Sequence, residues 1–189
     1  MYGIEVVTPA ASLPLSAADL RERLRLNSSA EDSLLAKFIQ TAVDRFEAAT
    51  SRPVLSTVYR QHVNRWPSPL VLGRGGVTAV GSVVTYTAAG AESTITGWRA
   101  VLKVVPACIV FPDGSPACSF TPAGYVQFTA GWANAAAVPA EVVTAIALLA
   151  GHYYECREAF RGDDLAATPA GWDAITRHYK LGLTGDWGQ

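Results

Sequence analysis

Apolar residues recur at the three- and four-residue spacing of an α-helix in two stretches that lie far apart in the chain. The first stretch predicts a helix that is capped at Ser28–Glu31 and ends before Pro53. The second begins at Pro139, a residue suited to the first turn of a helix, and continues to about residue 158. Two neighbouring apolar rows give this helix an unusually wide hydrophobic face. One row is Val142, Ile146, Leu149 and Tyr153, and the other is Val143, Ala147, Ala150 and Tyr154.

Between these helices the pattern changes to short runs of β-branched and aromatic residues separated by turns. Strands are predicted at residues 54–66, 70–72, 77–87, 98–105, 108–111 and 125–129. Gly73–Gly76, Ala88–Ser93 and Pro112–Gly114 predict turns. The middle of the chain is therefore expected to form a small antiparallel sheet or barrel inserted between the helices.

The remaining segments complete the predicted organisation. Residues 1–14 show no period, a short helix is predicted after the capping pattern Ser16–Asp19, and a last helix from Thr168 through Tyr179. The fold class predicted is α+β, mainly α: an antiparallel helical bundle with an inserted small antiparallel β module and a flexible C-terminal tail. The expected division is an N-terminal arm (1–15), a helical bundle (16–53 and 137–180), a β-rich module (54–136) and a tail (181–189).

The small fraction of charged residues indicates that the chain is a component of an assembly rather than a monomer. Half of the 189 residues are hydrophobic and 16% are charged, against ~25% in typical soluble domains. Apolar surface is then expected to be buried against other subunits. The net charge of −1 provides no general attraction to DNA or an anionic membrane, and no apolar stretch is long enough to predict a membrane span.

The search for catalytic or metal-binding chemistry finds little. His152 with Cys156 or Glu155 has helical metal-ligand spacing, but no second pair completes a site, so no cofactor or metal is predicted. The alternative function is a small hydrolase with a dispersed site around His152 and Glu155 or Glu158. Cys108, Cys118 and Cys156 are expected to be free thiols, although the first two could face each other across a hairpin.

Candidates for contacts between subunits come from the apolar helix faces and from the polar end of the second helix. They are Phe38, Val142, Ile146, Tyr153, Arg157 and Glu158. Arg157 and Glu158 are equally compatible with a solvated helix end. Trp187 lies among polar and glycine residues, which indicates either an anchor for a partner's pocket or a frayed end.

The order of these elements resembles the head–tail connector, or adaptor, proteins of long-tailed phages and gene transfer agents. Three passages carry the resemblance, together with a final helix at GWDAITRHY (171–179). They are LRERLRLNSSAEDSLLAKFIQTAVDRFEAATSRP (20–53), with the phrase E-x-x-T-x-R at Glu47, Thr50 and Arg52; LVLGRGGVTAVGSVVTY (70–86); and YVQFTAGWANAAAVPAEVVTAIALLAGHYYECRE (125–158). Cys156, where the family often has Asn, and Gly76, where a Pro is common, depart from the family pattern.

The resemblance implies a structural virion protein without enzymatic activity. It implies a homo-oligomeric, dodecameric ring that docks under the portal protein, extends the channel for non-specific passage of double-stranded DNA, and connects to the stopper or tail-terminator protein. It also implies portal binding by the C-terminal segment, here Leu181, Leu183 and above all Trp187. The expected location is the head–tail junction of a virion assembled in the cytoplasm of a bacterial host, with no membrane partner.

Overall fold

The computed structural model describes residues 3–87, 89–116, 123–156 and 171–182. The helices of this part of the chain are α1 (Ala17–Arg23), α2 (Asp32–Thr50), α3 (Ala140–Glu155) and α4 (Trp172–Tyr179), with a 3₁₀ turn at Ala135–Ala137. The strands are β1 (Ile4–Thr8), β2 (Thr57–Val63), β3 (Leu70–Val71), β4 (Val77–Tyr86), β5 (Glu92–Thr94), β6 (Arg99–Val101), β7 (Cys108–Val110) and β8 (Gly124–Ala130).

The prediction of a mainly α fold is wrong. Of the described residues 33% are helical and 26% lie in strands, and these strands form two antiparallel sheets, so the fold is α+β with substantial sheet. The pattern failed at the two short edge strands. Neither β1 nor β5 shows an inward-facing apolar alternation, because their residues are largely exposed, and that alternation is what a sequence reveals of a half-buried strand.

The larger sheet has five strands in the order β1-β2-β8-β4-β5, with every neighbouring pair antiparallel. The smaller sheet has the order β3-β7-β6. Side chains of the two sheets enclose one of the two hydrophobic clusters of the described chain. Among its fully buried members are Val63, Leu72, Val83, Ile109, Val126 and Phe128.

The second hydrophobic cluster is helical. The long helix α2 packs against α1, α3 and α4, and the buried residues of α2 and α3 occupy the faces that the helical spacing predicted. The rings of Phe46 on α2 and Trp172 on α4 meet edge to face, with their centres 6.1 Å apart. Among the fully buried members of this cluster are Leu35, Ile39, Phe46, Val142, Ile146 and Leu149.

The helix ends match the predicted signals in part. Ser16 forms the predicted capping box, in which its hydroxyl accepts from the backbone N–H of Asp19 while the Asp19 carboxylate accepts from the Ser16 N–H. The cap predicted at Ser28–Glu31 is wrong, because α2 begins at Asp32 and Glu31 precedes it without a side-chain cap. The proposed division of the chain into arm, bundle, module and tail stays a prediction.

Candidate functional site

The end of α2 is the point where the helical and sheet parts of the molecule are joined. Thr50, the last residue of α2, accepts a 2.8 Å hydrogen bond at its carbonyl from the N–H of Leu181, which follows α4. The next carbonyl, that of Ser51, accepts from the N–H of Gly75 at 3.0 Å. The chain after α4 and the loop before β4 are therefore fixed to the same helix end, which we call the α2 junction.

Local sequence explains why α2 ends here. The Thr50 hydroxyl donates to the carbonyl of Phe46 at 2.8 Å and accepts from the backbone N–H of Arg52 at 3.2 Å. Ser51 adopts the left-handed conformation with φ 55°, a common C-terminal stop for a helix. Pro53 cannot continue the helix, because it has no N–H to donate.

Arg52 is the central side chain of the α2 junction. Its guanidinium carbon lies 4.9 Å from the ring centre of Trp132, which follows β8, and 5.7 Å from that of Tyr179 on α4. Burial lowers the pKa of Arg52 from its ordinary value, because the desolvated cation loses hydration. Within the described residues no carboxylate forms an ion pair with this guanidinium. The two aromatic faces are thus its main stabilising neighbours.

Gly76 makes room for that arrangement. Its φ is +68°, and a Cβ built on it would lie 2.8 Å from Nε of Arg52. Proline, with φ fixed near −65°, could not take this conformation. The glycine that departs from the family pattern therefore fits the backbone found here.

Glu47 lies in the last turn of α2. Its Oε1 accepts a 2.7 Å hydrogen bond from the N–H of Val54. Burial raises the pKa of Glu47, with a smaller opposing effect from the Val54 hydrogen bond and from the positive charge of Arg74. The three residues of the predicted E-x-x-T-x-R phrase thus have separate structural tasks. Glu47 holds the chain entering the sheet, Thr50 ends the helix, and Arg52 packs on two aromatic rings.

A groove of about 270 Å³ opens beside the α2 junction. Its lining includes Arg52, Trp132 and Leu181 together with residues of the loop between β6 and β7. That loop exposes Val104 and Val105, whose side chains are 45% and 76% accessible. This groove and the α2 junction together are the candidate site for contact with another polypeptide.

Of the three predicted portal-binding residues, the structure describes Leu181. Leu181 is 5% exposed and packs at the α2 junction, where a Cβ on Gly75 would touch both it and Arg52. It is an anchor of the segment rather than a free contact. Leu183 and Trp187 lie outside the described residues, so their role stays a prediction.

The predicted subunit contacts differ in how far they are exposed and in whether the structure describes them. Val142 and Ile146 have no exposed surface, because they pack within the helical cluster of the same chain, and neither has side-chain area left for a neighbouring copy. Phe38 and Tyr153 are half-buried at the edge of that cluster. Arg157 and Glu158 lie outside the described residues.

The residues of the hydrolase alternative lie at the C-terminal end of α3. His152 Nδ1 is 3.9 Å from Cys156 Sγ, and Glu155 is exposed. Among the described residues no group of three His, Cys, Asp or Glu side chains is arranged to hold a metal ion. None of the described helices has the length and hydropathy to cross a membrane.

The convergence of Arg52, Trp132 and Tyr179 was not predicted from the sequence. Arg52 and Trp132 each belong to a passage that carried the family resemblance, and Tyr179 belongs to the predicted final helix. The signal was therefore present in two passages and in the final helix separately. What the sequence does not reveal is that the cation of Arg52 lies against both rings, which also meet each other edge to face with their centres 5.9 Å apart.

No family model matches the sequence, and no curated protein matches it. Solved structures do match over nearly the whole chain. A chain from the neck of an empty gene transfer agent (GTA) particle, computed with C6 symmetry, is 27% identical with a TM-score of 0.82 and 95% of both chains covered. A chain from the virion of a native GTA particle is 28% identical with a TM-score of 0.75, covering 94% of this chain and 95% of that one.

A third match is a chain from the neck of a native GTA particle computed with C12 symmetry, 26% identical with a TM-score of 0.76, covering 96% of this chain and 95% of that one. All three matching chains are components of a particle. The expected resemblance is therefore confirmed: the chain is similar over nearly its full length to the neck proteins of gene transfer agent particles, as a head–tail connector protein would be.

Proposed function

We propose that this protein is the subunit of a head-to-tail adaptor ring, which docks under the portal, extends the DNA channel and connects to the stopper or tail. The observation that carries the proposal is the match of 95% of this chain to 95% of a chain from a GTA neck, at 27% identity and a TM-score of 0.82. Likeness of that extent spans nearly the whole of both chains. A structural role in the virion, at the head–tail junction, is the function that accounts for it.

Ring assembly is supported by the symmetry of the related particles. The neck structures that contain the matching chains were computed with C6 and C12 symmetry. A cyclic ring is built from one repeated contact in which two different surfaces of each copy meet. We therefore propose a ring of twelve copies, formed after synthesis in the cytoplasm of a bacterial host.

The proposed subunit contact uses the side of the helical cluster that the chain leaves uncovered. Leu148 on α3 is 51% exposed, which is unusual for a large apolar side chain in the middle of a helix whose other face is buried. Phe38 and Tyr153 contribute half-buried apolar area at the edges of the same cluster. Arg157 and Glu158 are proposed polar contacts that follow α3.

The portal contact is proposed for the residues that follow Leu181. Leu181 is held at the α2 junction by its N–H and by its buried side chain, so the start of this segment has a fixed position. Leu183 and Trp187 are then the proposed apolar contacts with the portal. Double-stranded DNA would pass through the ring without sequence-specific contacts, in keeping with a net charge of −1.

The direct test mixes the purified chain with purified portal and examines the product by native mass spectrometry and negative-stain imaging. We expect a ring of twelve copies stacked on the portal. Trp187→Ala should abolish co-migration with the portal, whereas Trp187→Phe, which keeps an aromatic anchor, should retain most of it. A chain that stays monomeric in the presence of portal would contradict the adaptor function.

A further inference from the structure

The groove beside the α2 junction combines one cation with exposed apolar surface. Among the described residues that line it, Arg52 is the one charged side chain. The adjacent valines Val104 and Val105, which are 45% and 76% accessible, also line it. A surface of this kind favours a ligand with a carboxylate next to a large apolar group.

The charge of Arg52 is available for such a ligand. The guanidinium lies against Trp132 and Tyr179 and is half-buried, yet no described carboxylate forms an ion pair with it. A partly desolvated cation gains more from a carboxylate than a fully hydrated one does, because the local dielectric is lower. An incoming acidic side chain would therefore be stabilised at this position.

The chain itself carries the complementary sequence immediately after the groove. Leu181 forms part of the groove wall, and the segment that follows Gly182 reads Leu-Thr-Gly-Asp-Trp-Gly-Gln (183–189). Its charged residue, Asp186, is directly followed by its large aromatic residue, Trp187. The segment thus offers an acid and an aromatic group, and the lining of the groove offers a cation and exposed valines.

The segment is long enough to reach the groove. Asp186 lies five positions after Leu181, and five extended residues span at most ~17 Å. Leu181 and Arg52 both lie against Gly75, so the segment needs to turn back rather than to stretch, and Gly182 and Gly185 permit such a turn. A short tether also gives the segment an effective concentration of about 1 mM or more at the groove.

We propose that the groove binds the chain's own segment 183–189, with Asp186 paired to Arg52 and Trp187 packed on Val104 and Val105. The groove is then an intramolecular docking site. Because the same segment is the proposed contact with the portal, the two contacts exclude each other. A subunit that has not met a portal keeps Trp187 covered, and portal docking displaces the segment from the groove.

The test measures intramolecular disulfide formation in the full chain. Cys108, Cys118 and Cys156 are replaced by Ser, and Val105→Cys is combined with Gly188→Cys, so that Trp187 and Val104 are kept. We expect the new disulfide to form within one chain at least tenfold faster than in a pair that combines Val6→Cys with Gly188→Cys, because Val6 is exposed on β1 but does not line the groove. Since Val105 and Leu181 line the same groove, the decisive comparison adds Asp186→Lys to the first pair, which leaves the positions of the two cysteines in the chain unchanged and should slow the reaction severalfold.

Two outcomes would overturn the proposal. Equal rates for the two pairs, or a rate that Asp186→Lys leaves unchanged, would show that the segment has no specific contact with the groove. A disulfide between two chains at Val105 would assign the groove to the segment of a neighbouring copy instead. Neither outcome depends on the portal, since the reaction is followed in its absence, so failure here is distinct from failure of the adaptor function.

Discussion

Gly131 lies so close to Leu55 that a Cβ built on the glycine would be 2.4 Å from the leucine carbonyl oxygen. The two segments are bridged at Leu55 and Trp132, where the N–H of Ser56 donates to the carbonyl of Trp132 at 2.8 Å. This contact holds Trp132 at the position where its ring meets Arg52. The α2 junction therefore requires glycine at position 131.

Replacing Gly131 should lower the stability of the chain more than replacing a glycine that has open space around it. Gly131 has φ +104° and no room for a methyl group, so we expect Gly131→Ala to lower the free energy of unfolding by about 3 kcal/mol. Gly90→Ala, at φ +77° with no heavy atom within 4 Å of the built Cβ, should cost ~1 kcal/mol. Urea denaturation followed by circular dichroism measures both, and equal costs would refute the steric argument.

Leu181 should behave as a core residue although it lies near the end of the described chain. Its side chain is 5% exposed, so Leu181→Ala should lower the free energy of unfolding by ~2 kcal/mol. The matched control is Leu148→Ala, because Leu148 is 51% exposed. In the monomer that change should cost no more than about 0.5 kcal/mol beyond any difference in helix propensity.

The same experiment separates an anchor from a partner contact. If Leu181→Ala left the stability of the monomer unchanged and weakened only binding to a portal, the side chain would be a contact rather than an anchor. Amide hydrogen exchange at Leu181 provides a second readout, since its N–H is bonded to Thr50 and should exchange faster in the variant.

Arg52 should not tolerate lysine, even though the charge is kept. The planar guanidinium lies over Trp132 and near Tyr179, and an ammonium group reproduces neither the flat contact nor the same hydration. We expect Arg52→Lys to lower the free energy of unfolding by ~1 kcal/mol. Arg45→Lys, at an exposed position of α2, is the control and should change it by less than about 0.5 kcal/mol.

The helices were predictable because each carries a continuous apolar face that local spacing reveals. The faces of α2 and α3 became the helical cluster, and most strands of the middle region fell near their predicted places. The edge strands β1 and β5 were not predictable in this way. They are held by backbone hydrogen bonds to β2 and β4. Such bonds do not require an alternation of apolar and polar side chains, so the sequence does not show them.

The candidate site was only partly predictable for a related reason. The phrase with Glu47, Thr50 and Arg52 was visible, but its neighbours Trp132 and Tyr179 are distant in sequence. The bridge between Leu55 and Trp132 positions one ring, and the packing of α4 on α2 positions the other. The wide apolar face of α3 was interpreted as a subunit contact. Val142 and Ile146 are instead covered within the chain, because α3 meets both α2 and α4.

Glu47 should make the stability of the protein depend on pH. Burial raises the pKa of this carboxyl above its ordinary value of 4.5, so the folded state holds the proton more tightly than the unfolded state does. The stability that the protonated Glu47 carboxyl contributes is fully present below the pKa of the unfolded state. It is lost as the pH rises through the pKa of the folded state. Glu47→Gln removes this loss and keeps an oxygen that can accept from the N–H of Val54.

The free energy of unfolding of Glu47→Gln should therefore rise relative to that of the natural chain as the pH increases from about 4 to 7. Comparing the two proteins at each pH cancels the titration of the groups that they share. Glu155→Gln, which removes an exposed carboxyl at the end of α3, reports the effect of losing one charge without burial. If Glu47→Gln followed the same pH course as this control, burial of Glu47 could not be the cause of the effect.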